Sequence, residues 1–177
     1  EYVTIPTLGN GVEFGDIISG QHNVASTSNS IRAIGAGGSP STQNVIQYIT
    51  MTTKGNATDF GDLTVSRMPC GSASNATRGL FGHGETASTR VNTIDFITIA
   101  TKGNATDFGD SLNGVKNTQS SACSSPTRAL WGGGSTPSKI DVIEFVEIMT
   151  TGNAVDFGNL QAAKDNLTAV SNGHGGL

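Results

Sequence analysis

Short apolar runs broken by glycine recur along this chain, and none carries a helical stripe. In residues 92–99, NTIDFITI, Ile94 and Phe96 fall on one face of an extended strand, and Ile97 and Ile99 fall on the other. A strand apolar on both faces is covered on both faces. The stretches TRGLFGHG (77–84) and TRALWGGG (127–134) read as short strands that end in glycine bends. The triplet KGN at 54–56 reads as a turn, because Gly and Asn accept positive φ. Only LQAAKDNL (160–167) has helical composition. Its counterparts LTVSRMPC and LNGVKNTQ do not, so no helix is expected there.

The pattern repeats. The decamer TKGNATDFGD occurs at 53–62 and again at 101–110. Four related segments align: EYVTIPTLGNGVEFGD from Glu1, QYITMTTKGNATDFGD from Gln47, DFITIATKGNATDFGD from Asp95 and EFVEIMTTGNAVDFGN from Glu144. Phe14, Phe60, Phe108 and Phe157 are separated by 46, 48 and 49 residues. Tyr2, Tyr48, Phe96 and Phe145 form a second column, and Phe81 and Trp131 a third in which the first copy has Gly35. These columns hold every aromatic residue of the chain, so each unit presents the same surface to its neighbour.

Each unit accommodates about four short strands; for the second full unit they are expected near 62–67, 68–74, 77–83 and 91–99. A period near 48 residues, four antiparallel strands and a glycine cluster predict an all-β chain of β-propeller blades, with the glycines thinning strands that crowd the axis. The 177 residues then form a single domain of about four blade equivalents, with partial blades at both ends. The first segment reads as the third strand of a blade and the last as the second. The chain is therefore expected to be a piece of a larger ring or to complete a ring with further copies; a closed four-bladed ring is the less usual alternative.

The blade phrase TRGLFGHG…NTIDFITIATKGNATDFGD resembles kelch-like propeller repeats in its length and its glycine cluster. It lacks the paired tyrosine and tryptophan that follow the glycines in kelch. The fuller phrase is similar to the glycine-rich repeats of virion structural and tail-fibre proteins of marine bacteriophages, over essentially the whole chain. That resemblance implies an attachment or virion-surface role and an extracellular or virion location.

Composition narrows the partners. Ten basic and fourteen acidic residues give a net charge of −4, the wrong sign for a nucleic-acid groove or an anionic membrane. Only 14% of residues are charged, and the 24 glycines are about twice the usual share. No apolar run is long enough to span a membrane. Cys70 and Cys123, 53 residues apart, match no zinc spacing and read as small buried or half-buried residues.

Candidate chemistry is sparse. DFG at 59–61 and 107–109 matches the magnesium-binding triplet of kinases, but no phosphate loop or catalytic-loop HRD accompanies it. Asp59 with Asp62, and Asp107 with Asp110, offer carboxylates to calcium, yet the spacing is not that of an alternating acidic loop, and turn capping explains them more simply. Arg32, Arg78 and Arg128 follow Glu13, Asp59 and Asp107 by 19, 19 and 21 residues, which predicts structural ion pairs. Asn56, Asn75, Asn104 and Asn166 fit the glycosylation pattern but read as turn asparagines. His22, His83 and His174 share no column, and His83 reads as an exposed strand-end residue.

No catalytic, metal or cofactor site is expected. Loops at 39–44, 85–92 and 135–141 vary in charge, length and proline content, as recognition loops on a rigid scaffold do. The expected function is non-enzymatic: a virion structural or host-surface recognition module that binds a glycan or another virion protein, and that can self-associate. A purely architectural decoration protein is the alternative. A propeller enzyme of galactose-oxidase or sialidase type would need Tyr, His, Cys or acids clustered outside the columns.

Overall fold

The computed structural model describes residues 1–68, 71–115 and 122–172. Those residues form strands, turns and bends, and no helix long and apolar enough to cross a membrane is among them. The first sheet holds β1 (Ala25–Ser28), β2 (Arg32–Ala36), β3 (Gln43–Thr50) and β4 (Thr58–Arg67). The second holds β5 (Gly71–Ser74), β6 (Arg78–Gly82), β7 (Thr93–Thr98) and β8 (Thr106–Asp110). The third holds β9 (Ala122–Ser124), β10 (Arg128–Gly132), β11 (Ile140–Glu147) and β12 (Val155–Lys164). Within each sheet the strands neighbour one another in chain order and run antiparallel. A short hairpin bridged at Tyr2 and Val12 precedes them. The helix-like stretch at 160–167 enters β12 as a strand, as expected from its counterparts.

Grouping departs from expectation by one strand. The strand expected near 62–67 as the opening of the second unit is the end of β4, and belongs to the first sheet. The decamer is therefore the last turn and last strand of each sheet. The three sheets remain separate and do not join into a closed ring.

A register shift falls at one place in every sheet, between Ile46 and Gln47, Ile94 and Asp95, and Ile143 and Glu144. Opposite each shift one residue is left over, and it is Phe60, Phe108 or Phe157. The phenylalanine column is thus a column of β-bulges. A bulge bends its strand and re-aims a side chain, here bringing Phe60 edge-on to Tyr48, with ring centroids 5.8 Å apart. The same T-shaped pair recurs at Tyr2 and Phe14, Phe96 and Phe108, and Phe145 and Phe157.

Packing confirms burial on both faces. Between the first and second sheets, Ile34, Ile46, Phe60 and Leu63 meet Phe81, Ile97 and Ile99. Between the second and third, Leu80, Ile94 and Phe108 meet Trp131, Val146 and Ile148. Leu80 and Phe81, adjacent on β6, serve opposite cores. At about 25 cal/mol per Å2, each of these aromatic plugs stabilises its junction by a few kcal/mol.

The role assigned to glycine also changes. The strands that meet side by side across sheets are β1, β5 and β9, whose sequences are the small residues ASTS, GSAS and ACS. Glycines of the next strand instead make room for intruding side chains. A Cβ at Gly82 would sit 3.1 Å from the Trp131 ring, and one at Gly79 would sit 3.0 Å from Thr27.

Candidate functional site

Repeated devices join each unit to the next. The first uses both halves of the decamer. Gly103 N–H donates to the Phe60 carbonyl at 2.9 Å, Ala105 N–H donates to the Asp62 carbonyl at 2.8 Å, and Asp62 N–H donates to the Asn104 side-chain oxygen at 3.1 Å. The Gly-Asn-Ala segment of one unit therefore grips the Phe-Gly-Asp corner of the unit before it. The same three bonds join residues 55–57 to 14–16 and residues 152–154 to 108–110. Glycine is required at the corner: a Cβ on Gly61 would lie 2.4 Å from the Gly103 carbonyl oxygen, and φ is +149°.

The second device is a buried polar column on the third strands. Gln47, Asp95 and Glu144 are all buried, and each accepts an N–H two residues past the preceding Phe-Gly-Asp corner: Ile18, Thr64 and Leu112. Their second partners differ by junction. Gln47 donates to Gln21 at 2.7 Å, Asp95 pairs with Arg67 at 2.9 Å, and Glu144 meets His83 Nε2 at 2.5 Å. One position thus carries a neutral amide pair, a charged pair and a His–carboxylate pair.

His83 is therefore not an exposed strand end. It is 2% exposed, lies edge-on to Trp131 and adopts φ +66°. Its Nδ1 has no hydrogen-bond partner among the described residues. The void beside it encloses about 10 Å3, room for one water-sized sphere and no substrate. Sequence reasoning missed this because a residue after a strand is exposed only if no neighbouring sheet covers it. The alternating acid-or-amide column at 47, 95 and 144 was the available signal.

The third device corrects the predicted arginine–acid pairs. Among the described residues no ion pair joins Asp59 to Arg78 or Asp107 to Arg128. Arg32 and Arg78 lie over Tyr48 and Phe96, at 4.6 and 4.4 Å from the ring centroids, and donate to the Ile99 and Ile148 carbonyls of the next sheet. Arg128 lies over Phe145 and pairs with Glu147. Aromatic stacking plus a carbonyl acceptor satisfies the planar guanidinium without a carboxylate. Asp107 and Asp156 instead cap the amides of Gly109 and Gly158.

The first strands carry a serine ladder. Ser74 Oγ donates to the Ser28 carbonyl at 2.8 Å, Ser124 Oγ to the Ser74 carbonyl at 2.8 Å, and Ser171 Oγ to the Ser124 carbonyl at 2.7 Å. Asn29 and Asn75 cap the turns that follow, at Arg32 and Arg78, and reach across to the Ala76 and Pro126 carbonyls. This ladder lines a cleft of about 500 Å3, whose walls come from residues 27–30, 72–74, 122–124 and 169–171, with Met51. Among the described residues, no Asp, Glu, Lys, Arg or His lines it. Cys123, half-buried in its wall, has its thiol pKa raised by burial.

The variable loops lie at the opposite end of the sheets from this cleft, because they follow β2, β6 and β10, whereas the cleft surrounds the turns before those strands. Ser39 and Ser135, which open two of the loops, are buried. Cys70 and His174, singled out in the sequence, lie outside the described residues. No group of three metal-ligating side chains occurs among the described residues. No protein-family model matches this sequence, and no curated protein matches it.

Proposed function

We propose that the chain is a non-enzymatic structural and recognition module, built of kelch-like propeller repeats and carried on a virion surface, where it binds a host-surface glycan or another virion protein. The observation that carries this reading is the cleft of about 500 Å3, whose walls hold hydroxyls, backbone and small or apolar side chains and, among the described residues, none of Asp, Glu, Lys, Arg or His. Such a lining suits a neutral polar ligand and offers no general acid or base. Four successive units contribute the same repeat positions to it, so a ligand with its own repeat meets equivalent contacts.

One observation favours the architectural alternative. The hydroxyls of Ser72, Ser74, Ser124 and Ser171 already donate to backbone carbonyls, which leaves Thr27, Ser28 and Ser30 as the cleft hydroxyls without a partner among the described residues. A glycan array separates the two readings. Recognition predicts a specific neutral glycan whose signal falls when Ser28 and Ser30 are changed to valine. An array without a hit leaves decoration.

A further inference from the structure

The coupling of corner to gripping segment is formed three times within the chain, once between the N-terminal segment and the first sheet and twice between sheets, and each half of a fourth coupling stands open at one end. At residues 157–159 the Phe-Gly-Asn corner is gripped by nothing among the described residues: Phe157 is 54% exposed, and no described atom lies within 4 Å of a Cβ built on Gly158. Its counterparts Phe60 and Phe108 are each 3% exposed, and their glycines are pressed against the next segment. At the other end the Leu-Gly-Asn-Gly segment at 8–11 matches the gripping segments but holds no corner, and Leu8 is 104% exposed.

Two further positions agree. Thr27 and Ala73 on the first strands pack against the following sheet, at Gly79 and in the second core. Val170, their counterpart, is 88% exposed. The back of the first sheet is the matching receptor. Ile97, Ile99, Val146 and Ile148 are buried in the second and third sheets, whereas Met51, counterpart of Ile99 and Ile148, is 40% exposed. A hollow of about 240 Å3 lies there, lined by Ala33, Gly35 and Ile49, where the Phe81 and Trp131 column has glycine.

We propose that a second copy of this chain occupies these faces, head to tail. Leu8, Gly9, Asn10 and Gly11 of one copy close on Phe157, Gly158 and Asn159 of the other, and Val170 covers the open back of the first sheet. The residue choice fits the aromatic it would meet. Lys54 lies over Tyr2 and Lys102 over Tyr48. Leu8 occupies the lysine position and would meet Phe145, which has no hydroxyl and is already stacked by Arg128. Closure within one chain is disfavoured: three equivalent junctions have formed, yet Leu8, Phe157 and Val170 are all exposed. A head-to-tail contact generates a closed ring or a growing assembly.

The test is native mass of the full chain with complementing variants. One variant carries Leu8→Asp and Asn10→Ala, at exposed positions of the N-terminal segment. The other carries Gly158→Ala, whose methyl group meets no described atom in the free chain but would strike a docked segment as it would at Gly61; φ +143° strains alanine there, so its stability is measured alongside. Phe157→Asp is a second variant of the same corner, and circular dichroism verifies folding of each. The expected result is an oligomer for the unaltered chain, monomers for each variant alone, and a dimer when one N-terminal variant is mixed with one corner variant. A monomeric unaltered chain overturns the proposal, as does a mixture that stays monomeric. Met51 and Val170 also line the serine-rich cleft, so the glycan array is run on the monomeric variants as well as on the unaltered chain: a glycan hit with a monomeric unaltered chain overturns only this proposal, and an oligomer without a hit in either form overturns only the glycan reading.

Discussion

The carbonyl oxygen of Phe60 accepts the Gly103 N–H at 2.9 Å, so one copy of the decamer holds the other. The bond explains why the repeated phrase contains two parts. Gly-Asn-Ala is the gripping end and Phe-Gly-Asp the gripped end, and every internal unit needs both. In this arrangement the decamer is a coupling between sheets.

The corner glycine is the least replaceable residue of that coupling. Alanine at Gly61 or Gly109 would place a Cβ at 2.4 or 2.5 Å from a backbone carbonyl, at φ +149° or +144°. Backbone strain and overpacking together cost about 3 kcal/mol or more. Thermal unfolding of G61A and G109A should therefore show a large loss of stability. Alanine at Gly20, with no atom within 4 Å of its Cβ, should leave the transition in place.

The asparagine of the gripping segment contributes less. Asn104 gives one acceptor to the exposed Asp62 amide, which water can satisfy when the side chain is removed. The loss for Asn104→Ala is expected at about 0.5–1 kcal/mol. Asn56→Ala and Asn153→Ala should cost the same, because their bonds to Asp16 and Asp110 have the same form at 3.0 Å. Denaturant midpoints that ranked the three far apart would contradict equivalence of the junctions.

Burial raises the pKa of Cys123 in the folded chain. The folded state then favours the neutral thiol, so its contribution is present below the unfolded thiol pKa and is lost as pH rises through that value toward the folded one. Unfolding midpoints measured across the alkaline range should decline more for the unaltered chain than for Cys123→Ala. Equal declines would show that ionisation of this thiol is not coupled to folding.

The period, the aromatic columns and the absence of helix were legible because packing repeats with the sequence. Phe60 and Phe108 had to be large and regularly placed if each sheet covers the next. The boundary between sheets was not legible. Strand 58–67 reads equally well as the end of one unit or the start of another, since both neighbours of a repeat are copies. The arginine column misled for a related reason. In a repeat every residue stands at a fixed separation from every column, so spacing from Asp59 to Arg78 carries no information about contact. Arg78 takes Phe96 and the Ile148 carbonyl because they lie beside it across strands and sheets. His83 was misread as exposed because its partner Glu144 is 61 residues away, in another sheet.

The second junction contains a charge pair that the first junction does without, and this makes its energetics testable. Arg67 and Asp95 are both fully buried and lie 2.9 Å apart, and Asp95 also accepts Thr64 Oγ1 at 2.6 Å. Asp95→Ala removes a carboxylate 2.9 Å from a fully buried guanidinium, at a cost of about 3–5 kcal/mol. The first junction places Gln21 and Gln47 at the same repeat positions, hydrogen-bonded at 2.7 Å. A double variant, Arg67→Gln with Asp95→Gln, rebuilds that neutral pair and should recover most of the loss. Chemical denaturation of the single and double variants measures the difference. If the double variant is as unstable as Asp95→Ala, the two junctions are not interchangeable, and the charged pair holds the second one by contacts that the amides cannot reproduce.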